Sequence, residues 1–76
     1  MVIGVTFVKV VPGHEKTAYN EFLKIKGIQD VYHIFGEFDF IVISKVDGLS
    51  ALNRLVDTIR ESKNITATNT ILGAEL

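Results

Sequence analysis

The chain has 76 residues, 47% of them hydrophobic, and it contains no cysteine, which excludes both a disulfide framework and a thiolate metal site. A chain this short buries only about 60% of the surface that its unfolded form exposes, so we expect it to complete its core by self-association. Eight Lys and Arg residues against nine Asp and Glu residues give a net charge of -1. The sequence shows no basic cluster that would neutralise a phosphate backbone, so we expect no direct nucleic-acid partner.

No apolar stretch is long enough to span a bilayer, and the amino terminus lacks the basic region and cleavage site of a signal peptide. We therefore expect a cytoplasmic protein without a membrane partner.

The first part of the chain predicts a strand followed by a helix. Residues 2–11 are rich in β-branched and aromatic side chains, and Pro12 and Gly13 end this run with strong turn residues. From His14 to Lys26 the apolar residues recur at helical spacing. Gly27 follows where a left-handed C-terminal cap is favoured.

The middle of the chain predicts a β-hairpin. Two strand-like runs, 28–35 and 38–46, are separated by Gly36-Glu37, which fits a two-residue turn with glycine at the first central position. In that register Ile34 lies opposite Asp39.

The last part of the chain predicts a second helix and a fourth strand. Asp47 is expected to cap this helix through the backbone of Ser50, and Asn64 is expected to end it. Residues 65–74 return to β-type composition. The apolar stripe of the helix consists of Leu49, Leu52, Leu55, Val56 and Ile59.

The order β-α-β-β-α-β predicts an α+β, ferredoxin-like fold with a four-stranded antiparallel sheet and both helices on one face. Apolar residues occupy both faces of the first strand and of the hairpin, whereas a sheet with one solvated face should alternate apolar and polar residues. A second copy packed sheet against sheet would cover the helix-free face. We therefore expect a dimer through the sheets.

Residues for catalysis are scarce. His14 and His33 belong to no His-x-x-x-His or clustered-carboxylate pattern, and no serine lies in a nucleophile elbow. We predict no enzymatic activity, no catalytic residues, no metal site and no cofactor.

Two interpretations of Gly36 and Asp39 stay open. In the first, Asp39 accepts hydrogen bonds from turn amides and Gly36 only supplies an unusual dihedral angle. In the second, the carboxylate binds an ammonium group while exposed turn amides bind a carboxylate, together suiting a zwitterion. The alternating Thr66, Thr68 and Thr70 are either good strand formers or hydroxyl donors to a polar ligand.

The hairpin motif Gly36-Glu37-Phe38-Asp39, the later leucine helix and the run Thr68-Asn69-Thr70-Ile71-Leu72 resemble the regulation-of-amino-acid-metabolism (RAM) domain. This is the ligand-binding half of the Lrp/AsnC transcription regulators. The resemblance implies a homo-oligomer, a dimer assembling into tetramers of dimers or a ring, with an amino acid bound between dimers. It assigns ligand binding to Gly36 and Asp39, and less directly to Thr68 and Thr70.

Family regulators carry an amino-terminal helix-turn-helix domain, and this chain opens directly on the first strand. We therefore expect residues 1–76 to form one stand-alone ligand-binding domain with no DNA-binding domain. Such a module could modulate transcription or amino-acid metabolism by assembling with full-length Lrp/AsnC relatives.

Two alternatives share the same element order. One is a small dimeric enzyme of the cofactor-free monooxygenase type, which would need His33 in an open cavity. The other is an ACT-like regulatory domain, whose ligand would lie near Pro12-Gly13-His14.

Overall fold

A computed structural model describes residues 1–74, and it has the predicted element order. The four strands form one antiparallel sheet in the order β2-β3-β1-β4, so β1 and β3 are central and β2 and β4 are edges. The ferredoxin-like prediction is confirmed. The elements are β1 Val2–Val10, α1 Glu15–Phe22, β2 Ile28–His33, β3 Phe40–Val46, α2 Leu49–Arg60 and β4 Ile65–Ala74.

Both helices contribute to the core on one face of the sheet. In β1 and β3 every second residue points to this face, as the pleat of a strand requires, and these residues are the buried ones. Their apolar partners come from one stripe of each helix. The resulting cluster contains Val8, Val10, Ala18, Phe22, Phe40, Val42, Leu55 and Ile59.

The other face of the sheet is also apolar, but it carries no helix. Its residues on the two central strands are only partly buried, and Ile71 on the edge strand β4 is 55% exposed. Both faces of the sheet are therefore apolar, as the sequence predicts. We call this surface the helix-free face, and its apolar members are Ile3, Val5, Phe7, Ile41, Ile43 and Ile71.

The first helix ends earlier than its sequence predicts. It stops at Phe22 rather than Lys26, because the next residues form tighter i→i+3 bonds such as Ile25 N to Phe22 O at 3.1 Å. These turns bring Ile25 against the core. Gly27 then has a φ of +101°, and a Cβ there would lie 3.0 Å from Leu55 Cδ1.

The capping prediction for the second helix is wrong. The N-cap of α2 is Gly48 with extended backbone, and it receives no side-chain hydrogen bond, so Asp47 does not cap the helix.

The hairpin has the predicted register but shorter strands. His33 pairs with Phe40, and Ile34 N donates to Asp39 O at 2.8 Å, so Ile34 lies opposite Asp39 as predicted. The ladder stops there, however, leaving a six-residue connection over 34–39 in place of a two-residue turn.

Candidate functional site

Asp39 joins the hairpin to the neighbouring central strand. Its backbone N donates to Val8 O at 2.8 Å, and its carboxylate Oδ2 accepts from Val10 N at 2.7 Å. The β1–β3 ladder ends at the Val8–Phe40 pair, so the amide of Val10 has no backbone acceptor on that side. The carboxylate supplies the hydrogen-bond acceptor that a backbone carbonyl would supply if the ladder continued.

The interaction of Asp39 with Val10 corrects the first sequence interpretation, which assigned turn amides as the donors. The donor is an amide of another strand, 29 residues away in sequence. Only Oδ2 is occupied in this way. Among residues 1–74, no group donates a hydrogen bond to Asp39 Oδ1.

The tip of the hairpin is open to solvent. Gly36 has a φ of +132°, which disfavours other residues, and a Cβ added there would meet nothing within 4 Å. Phe35 beside it is 90% exposed.

Thr68 and Thr70 lie on the edge strand β4 and point to the helix side of the sheet, since they pair with the buried Val8 and Thr6. Thr70 Oγ1 lies 3.1 Å from Thr6 Oγ1. Thr68 Oγ1 has no hydrogen-bond partner within the described range. Both line a groove of about 520 Å³ between β4 and α2. Asn69 and Leu72 also line it from β4, and α2 contributes Leu49, Leu52, Asn53, Val56, Asp57 and Arg60.

One chain does not bring the four predicted residues into one pocket. Two strand spacings, about 10 Å, separate Thr68 from Phe40, the residue after Asp39. Neither Gly36 nor Asp39 lines any of four depressions on the surface of residues 1–74.

The residues required by the two alternative functions are engaged in other contacts. The ring of His33 stacks on Phe40 at 4.9 Å and contacts Phe35 at 5.0 Å, and it lines none of the four depressions. In the first strand-to-helix loop, Gly13 N donates to the carboxylate of Glu15 at 2.9 Å. This loop amide is therefore occupied by the chain's own acid.

Sequence reasoning missed a buried polar cluster around Asn64. This residue is 4% exposed, its Oδ1 lies 2.7 Å from His14 Nδ1, and its Nδ2 donates to Glu21 Oε1 at 3.1 Å. Ser62 Oγ also donates to Glu21 Oε1, at 2.7 Å. The cluster ties the start and body of α1 to the turn after α2.

Across residues 1–74 no three His, Asp or Glu side chains are grouped so that they could hold a metal ion. None of the helices found there is long and apolar enough to cross a membrane.

Comparison with known proteins adds a family and several structural relatives. The family model for the Lrp/AsnC ligand binding domain matches residues 4–73. The HTH-type transcriptional regulator LysM of Saccharolobus solfataricus is 33% identical over 49 residues, which are 64% of this chain and 34% of the regulator. The match thus spans about a third of the length of that curated relative.

Solved structures share the fold over the whole chain. Hypothetical protein PHS023 from Pyrococcus horikoshii aligns with a TM-score of 0.90 at 25% identity, covering 100% of this chain and 93% of that one. A feast or famine regulatory protein from M. tuberculosis, complexed with L-methionine, aligns with a TM-score of 0.85 at 18% identity. That alignment covers 100% of this chain and 52% of the regulator. The chain belongs to the Lrp/AsnC ligand-binding domain family.

Proposed function

We propose that this chain is an effector-binding module that forms dimers through its helix-free face and binds a small amino acid at sites formed between dimers. In this proposal Asp39 binds the ligand's ammonium group and the backbone around Gly36 binds its carboxylate. Thr68 and Thr70 contribute hydroxyl groups. The module is not an enzyme and needs no cofactor.

The observation that carries the proposal is the state of the Asp39 carboxylate. One oxygen is held by the amide of Val10, which orients the group, and the other has no donor among the described residues. A charge-assisted hydrogen bond to an ammonium group would use that second oxygen. The L-methionine complex of the M. tuberculosis relative supports an amino acid as the class of ligand.

Two observations support assembly. Packing sheet against sheet in a dimer would remove the apolar helix-free face from water. Thr68 points to the opposite, helix side of the sheet, about 10 Å from the residue after Asp39, so a site that contains both needs residues from a second dimer.

A module of this kind can act on transcription through related regulators. Full-length regulators such as the LysM relative are described as HTH-type, and the matched region covers about a third of that protein. A shared assembly surface would let this chain join such regulators in mixed oligomers and change their ligand response. Recovery from its native cell with no Lrp/AsnC regulator bound would contradict this part of the proposal.

The direct test is a thermal-shift screen of the full chain against the twenty amino acids, with mass measured in solution. A ligand that binds the assembly raises its melting temperature. Asp39→Asn should remove the ligand-induced shift, while Glu37→Gln should keep it, because Glu37 is an exposed acid in the same hairpin. The absence of a shift with any amino acid, or an unchanged shift in Asp39→Asn, would refute the assignment.

A further inference from the structure

A second candidate site lies at the end of the sheet farthest from the 34–39 connection. Here the turn after α1, the end of β3 and one side of α2 line a depression of about 800 Å³, the largest of the four described. It is about 20 Å, the length of β2, from the Gly36–Asp39 connection. The two sites can therefore be examined independently.

The depression collects half of the cations of the chain. Lys24, Lys26, Lys45 and Arg54 line it, out of eight Lys and Arg residues in total, and among the described residues that line it Asp47 is the one acid. The described lining is therefore rich in positive charge, in a chain whose net charge is -1. The four cations are scattered along the sequence, so only the fold reveals this cluster.

The floor of the depression is apolar. Ile25 and Val46 are partly buried against the core, and Leu55 is 5% exposed. Ala51 adds a small side chain on the first half of α2. A ligand there would meet an apolar surface below and positive charges at the rim.

Nothing described in the chain neutralises three of these cations. The side chains of Lys24, Lys26 and Arg54 are exposed, and none has a hydrogen bond or ion pair with another described residue. Lys45 does have an interaction, so it is not counted among these three cations. Like charges gathered around one concave surface repel each other and raise the local concentration of anions.

We propose that this depression binds a phosphorylated small molecule of nucleotide size. Its volume lies within the roughly 300–1,000 Å³ that is common for ligand pockets. The guanidinium of Arg54 can bind a phosphate through two parallel hydrogen bonds, and the lysines act as point charges beside it. The apolar floor would cover the ring or hydrocarbon part of the ligand.

The experiment is an NMR titration of the full chain with adenosine 5′-monophosphate, inorganic phosphate and adenosine, at about 0.15 M salt. We expect saturable shifts with the nucleotide at the amides of Gly27, Val46 and Ala51, while the amides of the 34–39 connection stay unchanged. Inorganic phosphate should shift the same amides more weakly. Adenosine without phosphate should bind at least about tenfold more weakly than the nucleotide.

Charge-reversal variants supply the control. The double variant Lys26→Glu with Arg54→Glu should weaken nucleotide binding at least about tenfold. The double variant Lys16→Glu with Lys63→Glu makes the same change in net charge outside the depression and should leave affinity within about twofold.

Three results would overturn the proposal. They are the absence of saturable shifts with the nucleotide, equal weakening by the two double variants, and equal affinity for adenosine and its monophosphate. If the Lys26 and Arg54 double variant does not fold, the shifts mapped on the unmodified chain decide the question. Shifts spread over the whole surface, or concentrated in the 34–39 connection, would then count against the site.

Discussion

Removing the carboxylate of Asp39 should destabilise the fold as well as the proposed ligand site. In Asp39→Ala the amide of Val10, in a residue that is 3% exposed, loses its acceptor at 2.7 Å. Hydrogen bonds to charged groups contribute about 1.5–3 kcal/mol each, and the orphaned amide would be poorly placed to bind water. We therefore expect the free energy of unfolding to fall by about 1.5–3 kcal/mol.

The loss should be easy to measure by thermal denaturation. For a domain of this size, 1 kcal/mol shifts the melting temperature by about 4–8 °C, so Asp39→Ala should melt about 6–24 °C lower. Asp39→Asn keeps an oxygen acceptor without the charge and should lose about 1 kcal/mol. Glu37→Gln, in the same hairpin, should change stability by less than about 0.5 kcal/mol.

Comparison of the two Asp39 variants separates structure from recognition. If the carboxylate also binds a ligand ammonium group, Asp39→Asn should lose the ligand-induced shift while most of the stability remains. All samples need the same protein concentration, because an oligomer melts at a concentration-dependent temperature. If Asp39→Ala proves as stable as the unmodified chain, the hydrogen bond to Val10 does not have the role assigned to it.

Three further substitutions test other parts of the structure. Gly4→Ala should lower the free energy of unfolding, measured by urea denaturation, by about 1–3 kcal/mol, because the added Cβ would lie 2.5 Å from Leu52 Cδ1. Unchanged stability would mean that α2 can shift away from the sheet. Asn64→Leu should lower the free energy of unfolding by about 1–3 kcal/mol in the same assay, since the side chains of His14 and Glu21 lose a hydrogen-bond partner. Unchanged stability would show that water replaces the amide. Ile43→Lys on the helix-free face should lower the mass measured by sedimentation to that of one chain. The control Leu23→Lys, at an exposed position, should leave the mass unchanged. An unchanged mass in both variants would place the assembly surface elsewhere.

The features that the sequence predicted well are those set by local periodicity. The β-branched and aromatic composition of the first strand and the leucine stripe of the second helix predicted both elements. Leu52, Leu55 and Ile59 of that stripe are buried, whereas Leu49 is 54% exposed. The pairing of Ile34 with Asp39 also followed from the position of Gly36. These patterns depend on neighbours in sequence, so they could be read without the fold.

The features that sequence reasoning missed depend on partners distant in sequence. The donor to Asp39 is Val10, and no local rule connects a hairpin acid with an amide that lies before the first helix. The first helix ends early because packing of Ile25 against the core outweighs its helical pattern. The ligand-binding roles of Gly36, Asp39, Thr68 and Thr70 remain predictions, since they concern contacts between chains.

The hydrogen bond between Asp39 and Val10 has a consequence for how the two proposed properties influence each other. It attaches the hairpin to β1, and the same strand presents Val5 and Phe7 on the helix-free face. A ligand bound to Asp39 is thus connected, through a single hydrogen bond, to the strand at the centre of the proposed assembly surface. Thermodynamic linkage then makes the effect reciprocal: an effector that favours association must itself be held more tightly by the associated form.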